Sequence, residues 1–184
     1  MRTLARRRMT ADEFLAWAEG REGRWELHNG VPCRMPTEQL GHIDLKYVVY
    51  SVLQRAIRTA GVPCRVIGDG ASVRISQHFV YGPDALIYCG PKLPPTVLET
   101  PNPVVLVEVA SPSTRKMDET TKLTDYFSLP SVHHYLLVDP AGPPVVHYSR
   151  QAAGPPLRYV VHEGMLTLAP PGIEVGVAEL FAEH

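Results

Sequence analysis

The run Val104-Val105-Leu106-Val107-Glu108-Val109 constrains the fold more than any other segment. It is apolar apart from one carboxylate, and such a run reads as a strand covered on both faces. An isolated buried carboxylate is costly, so Glu108 needs a cation, a metal ion or a proton beside it. A second strand of this kind, Asp84-Ala85-Leu86-Ile87-Tyr88, opens with an acid directly after Pro83. If the two strands pair antiparallel, the start of one lies beside the end of the other. Asp84 and Glu108 then meet at one edge of the sheet.

The 184 residues are enough for a single domain with a real core, expected over 1–184 with a flexible tail at 1–9. A hydrophobic content of 45% and a charged content of 20% suit a soluble globular chain. No apolar run is long enough to span a bilayer, and the basic start Arg6-Arg7-Arg8 leads into no signal core. A net charge of −1 excludes a chain that binds nucleic acid by overall basicity, so any DNA contact needs a local patch. Cys33, Cys64 and Cys89 are widely spaced and odd in number. They fit neither a zinc pattern nor a disulfide framework, and read as reduced thiols of a cytoplasmic protein.

Thr10-Ala11-Asp12-Glu13 is a capping box, followed by a short helix that Gly20 ends. Trp25-Glu26-Leu27-His28 reads as a strand, and Asn29-Gly30 turns it into a hairpin returning to Met35. Leu45, Val48, Val49, Val52, Leu53, Ala56 and Ile57 recur at helical spacing, which predicts a long helix over about 40–60 stopped by Gly61. Two short strands are expected near 64–67 and 71–75, joined by Gly68-Asp69-Gly70. After them come the Asp84 strand and a proline-rich surface connection over 90–103. Ser111-Pro112-Ser113-Thr114 marks a turn into a helix ending near Ser128. A buried strand over 132–138 and a β-prone tail complete the chain. The fold class is therefore α/β in the α+β sense: a mixed β-sheet core flanked by helices, with an N-terminal β-hairpin and C-terminal strands.

Two carboxylates brought together repel unless a cation sits between them. Hard divalent ions prefer oxygen ligands, can polarise a phosphoryl oxygen and lower the pKa of bound water. Asp84 and Glu108 thus suggest a metal-dependent phosphodiester site. Lys122, on the following helix, could stabilise developing charge or orient water. From the residues alone, Asp118 and Lys122 read first as an i,i+4 pair on a helix surface, because lysine is seldom buried. Glu26 reads first as an outward residue of a half-buried hairpin, and His42 as a capping or core histidine. His133 and His134 must point to opposite faces and cannot chelate together. Ser111 and Ser113 lack the strand-to-helix elbow of a hydrolase serine.

Pro83-Asp84, the run from Pro103 to Thr114, Asp118, Lys122, Tyr126 and Tyr135-Leu136-Leu137-Val138-Asp139-Pro140 together resemble the Uma2 family of restriction-endonuclease-like proteins. Trp25 to Gly30 and His42 fit its N-terminal part, so the resemblance spans nearly the whole chain. It implies a PD-(D/E)XK nuclease fold in which Asp84 and Glu108 bind Mg2+ or Mn2+ and Glu26 supports them. The usual lysine two positions after the glutamate is Ala110 here, and the family's pattern moves that role to Lys122. The resemblance further implies DNA as substrate and a homodimer; no membrane and no small-molecule cofactor are expected. A noncatalytic binding or regulatory module on the same fold, and a purely structural ionic cluster of the acids with Lys122, are the competing readings.

Overall fold

The computed structural model describes residues 7–111 and 115–182. The basic start at 1–6, and Pro112, Ser113 and Thr114 of the expected turn, lie outside them. Residues 7–9 depart from the flexible tail expected of them. Arg7 pairs with Glu13, Arg8 donates to the Asn29 carboxamide at 2.7 Å, and the Met9 amide donates to Gly30 at 2.8 Å.

Helix α1 (Ala11–Ala18) starts on the predicted capping box. The Thr10 amide donates to Glu13 at 2.9 Å and the Glu13 amide to the Thr10 hydroxyl at 3.3 Å. Strands β1 (Trp25–His28) and β2 (Val31–Arg34) form the predicted hairpin. Asn29 and Gly30 both hold positive φ, 50° and 76°, as a two-residue hairpin turn with right-handed strand twist requires. Helix α2 (Leu40–Ala60) occupies the predicted span, and Gly61 ends it at φ 67°.

The predicted pair after α2 separates. β3 (Cys64–Gly68) joins the large sheet, whereas β4 (Val73–Ser76) turns into β5 (Phe79–Tyr81), a strand not expected from sequence. β5 then pairs with β1, giving a four-stranded sheet in the order β2-β1-β5-β4. β6 (Ala85–Cys89) and β7 (Pro103–Val109) pair antiparallel as supposed, with Ala85 opposite Val107. A short α3 (Arg115–Met117), a π-helical turn (Asp118–Lys122) and α4 (Leu123–Ser128) then lead to β8 (His134–Val138), which lies parallel to β7. β9 (Val145–Ser149) and β10 (Leu157–Val161) extend the sheet to the order β10-β9-β8-β7-β6-β3. β11 (Met165–Leu168), β12 (Ile173–Gly176) and α5 (Val177–Leu180) close the chain. The architecture is the expected mixed sheet flanked by helices.

The pleat of the large sheet divides the core. Ala85, Ile87, Val105, Val107, Leu136 and Val138 face Leu45, Val49, Val52, Leu53 and Ile57 of α2 and the β11–β12 hairpin. Leu86, Leu106, Tyr135 and Leu137 face the other way, against Tyr126 and Tyr81. Strand alternation therefore sends Glu108 to this second, tyrosine-rich side, whereas Asp84, just before β6, sits at the end of the sheet within reach of α2.

The reduced-thiol reading is corrected. Cys64 and Cys89 lie opposite each other on β3 and β6 and form a disulfide, leaving Cys33 as the free cysteine among the described residues. The pairing is nonlocal, so spacing along the chain gave no sign of it, and the thiol argument for a cytoplasmic setting falls with it. No helix among the described residues is long and apolar enough to cross a membrane.

Candidate active site

The antiparallel register of β6 and β7 brings the two strand acids together. The Asp84 amide donates to the Val107 carbonyl at 3.0 Å, and the Val109 amide donates to Asp84 Oδ2 at 2.7 Å. Asp84 thus caps the end of the ladder beside Glu108. Both line a cavity of about 420 Å³, with Arg24, Glu38, His42 and Lys122 also in its wall.

Lys122 is buried, at 2% exposure, and so departs from its reading as half of a surface pair. Its Nζ lies 2.9 Å from Glu108 Oε1, 3.0 Å from Glu26 Oε1 and 3.6 Å from Asp118 Oδ1. The π-helical turn carries Asp118 and Lys122 inward together, and both are buried. Glu26 is likewise no outward residue of the hairpin, being 1% exposed. Its Oε1 also accepts from the Gly82 amide at 3.0 Å, and its Oε2 lies 2.9 Å from His28 Nε2. The Tyr126 hydroxyl donates to Glu108 Oε1 at 2.8 Å. Glu26 is absent from the cavity wall and acts on it through Lys122.

One ammonium among several acids cannot neutralise them all, and the protonation states divide accordingly. Burial pushes Glu26 up, but the bond from His28, the charge of Lys122 and the Gly82 amide outweigh it and hold the carboxyl at about 2. Burial also pushes Glu108 up. Lys122 pulls against it, but Asp84, Asp118 and Glu26 add repulsion and leave Glu108 at about 8. For Lys122, burial disfavours the charge, but Glu108, Glu26 and Asp118 overcome it and raise its pKa above the ordinary lysine value. At neutral pH Glu26 is ionised, Lys122 is charged and Glu108 holds a proton that a divalent ion could replace.

Sequence reasoning missed the other half of the site. Lys46 Nζ, on α2, lies 2.6 Å from Asp84 Oδ1, 2.5 Å from Glu38 Oε1 and 3.3 Å from Asp69 Oδ2. Arg24 pairs with Glu38, with Asp69 at 2.9 Å and with Asp84 at 3.4 Å. His42 Nε2 stands 3.8 Å from both Glu38 Oε1 and Asp84 Oδ2. A signal was present: His42, Lys46, Val49 and Leu53 fall at i, i+4, i+7 and i+11, which sets the two polar residues on the buried stripe of α2. His134 and His147 also meet, Nδ1 to Nε2 at 2.9 Å, on the other side of the sheet from Glu108. His133 takes no part in that contact.

The donor set suits a divalent cation. Carboxylate oxygens and one imidazole nitrogen converge, and single donor atoms of Glu38, His42 and Asp84 all lie within 4.8 Å of one another.

Comparison with known proteins gives the chain a family and a likeness of fold. Residues 11–180 match the family model Uma2, described as putative restriction endonuclease. A crystal structure described as that of a putative nuclease belonging to DUF820 from Anabaena variabilis is similar over 94% of this chain and 97% of that one. Its TM-score is 0.71 at 18% identity, a likeness of fold. No curated protein sequence matches the chain.

Proposed function

Because the chain belongs to the Uma2 family of putative restriction endonucleases, we propose that it is a metal-dependent endonuclease that hydrolyses phosphodiester bonds of DNA, on a PD-(D/E)XK type of site. The observation that carries this reading is the meeting of Asp84 and Glu108 at one cavity, with the buried ammonium of Lys122 against Glu108. Asp84 and Glu108 hold Mg2+ or Mn2+. Such an ion would supply Lewis-acid polarisation of a phosphoryl oxygen and would make a water a better nucleophile.

The chain's own groups do the rest. The Val109 amide and Lys46 fix the Asp84 carboxylate at the end of the β6–β7 ladder. Tyr126 and Lys122 both donate to Oε1 of Glu108, which fixes that carboxyl's orientation. Lys122 is the catalytic cation: it lines the cavity and stays charged, so it can stabilise negative charge developing on the phosphoryl group. Glu26 is a positioning residue, since it reaches the cavity by holding Lys122 and the Gly82 amide of its wall. Ala110 leaves the usual lysine position without a cation, and Lys122 supplies the charge from the π-helical turn instead.

An end-labelled DNA duplex tests the reaction. Shorter labelled products should appear with Mg2+ or Mn2+ and not with EDTA. A duplex that stays whole under every ion that binds the protein would sink the nuclease reading.

A further inference from the structure

Resting on the metal-dependent reading above, we infer that His42 is a ligand of the bound cation, with Asp84 and Glu38, and that the site therefore favours Mn2+ over Mg2+. Imidazole sits on the helix side of the cavity, opposite the strand acids. Its Nε2 is 3.8 Å from an oxygen of each carboxylate, beyond hydrogen-bond reach, although its side chain is only 11% exposed. Among the described residues the His42 ring makes no hydrogen bond. An ion about 2.1 Å from each ligand spans ligand pairs roughly 3.0 Å apart at right angles and roughly 4.2 Å apart in line. A separation of 3.8 Å falls inside that interval, so small side-chain rotations close the shell.

The place is already built around positive charge. Lys46 Nζ bridges Asp84 and Glu38, and Arg24 reaches both. These cations keep the two carboxylates from repelling each other before an ion arrives. Both also hold Asp69, at 3.3 Å and 2.9 Å, so each keeps a carboxylate partner when the ion takes the shared ones. The α2 register explains why His42 and Lys46 serve the same carboxylates, since they lie one turn apart on one face.

The donor chemistry sets the preference. Mg2+ takes oxygen ligands and gives up water reluctantly, whereas imidazole suits transition ions. With an all-oxygen set of Asp84 and Glu108, Mg2+ and Mn2+ would compete on size and hydration alone. A nitrogen ligand adds affinity for Mn2+ that Mg2+ gains little from.

The test uses the whole chain loaded with Mn2+. Pulsed electron paramagnetic resonance of bound Mn2+ should carry the modulation of a directly coordinated 14N nucleus. His42→Gln should lose that modulation while still binding Mn2+, about tenfold more weakly. The Mg2+ affinity of that variant, read by calorimetry, should change by less than about threefold. Circular dichroism checks the fold, and His42→Asn gives a second variant. Bound Mn2+ without nitrogen modulation, or modulation that survives His42→Gln, overturns the assignment and leaves the strand-acid metal site standing. Failure of wild-type protein to bind any divalent ion overturns both.

Discussion

Glu108 keeps its proton to about pH 8 because it is buried and because Asp84, Asp118 and Glu26 repel its charge more than Lys122, shared with Glu26, attracts it; Glu26 stays ionised down to about pH 2. Loading a divalent ion at pH 7 should therefore release close to one proton. Affinity should rise by about tenfold per pH unit below ~8 and flatten above it. Calorimetry in buffers of different ionisation enthalpy reads this directly, and a proton count of zero would contradict Glu108 as a ligand. The sign for the metal-free protein is the reverse. A carboxyl raised in the fold contributes stability present below its unfolded value of 4.5 and lost as pH rises through about 8. Glu108→Gln retains an acceptor for Tyr126 and Lys122 and has no charge to bury, so its metal-free melting temperature at pH 9 should exceed that of the wild type. A clear decrease there would support the purely structural cluster instead. Lys122→Met strands buried Glu26 without its cation and should cost roughly 3–5 kcal/mol in denaturant unfolding. At this scale the sequence revealed the strand acids, because a charge in an apolar run has few explanations. From the residues alone Lys122 and Glu26 read as surface residues, because the partners that allow their burial come from distant segments, and it is the family resemblance that set them at the site.

Local elements were legible where local chemistry decides them. The capping box, the Asn29-Gly30 turn and the bounds of α2 all follow from side chains within a few residues. Strand partnership does not. Gly68-Asp69-Gly70 looked like the link of a strand pair, but β3 and β4 go to different sheets, and β5 owes its place to pairing with β1 and β4. The π-helical turn also has no local signature, yet it turns Asp118 and Lys122 inward together. The hairpin turn offers a test of how firmly β1 presents Glu26. A Cβ at Gly30 would come within 2.5 Å of Arg8 Cβ and 3.0 Å of the Met9 carbonyl, at a φ of 76°. Gly30→Ala should therefore destabilise by roughly 1–3 kcal/mol in chemical unfolding. An unchanged midpoint would mean that the first residues do not pack on the turn.

Across the whole molecule, the sheet order explains why one cavity collects residues from so much of the chain. β6 and β7 are neighbouring interior strands, so their ends can be reached by α2 from one side and by the π-helical turn and β1 from the other. The mixed sheet itself was legible from interspersed strands and helices, whereas the Cys64–Cys89 disulfide was not, since it follows from β3 lying beside β6. The edge strand β10 exposes Leu157 and Tyr159 on one face and Val160 on the other, an apolar edge of the sort that pairs with another strand. If the chain forms the homodimer expected of it, this edge is the natural contact. Light scattering should then give twice the chain mass for wild type and the single mass for Val160→Lys. The central claim concerns the acids. The most direct measurement is nicking of supercoiled DNA by wild type, Asp84→Ala and Glu108→Ala with Mn2+, Mg2+ or EDTA. The account predicts nicking that needs the ion and disappears in both variants. Nicking that persists in either variant, or its absence in folded wild type with bound metal, would contradict it.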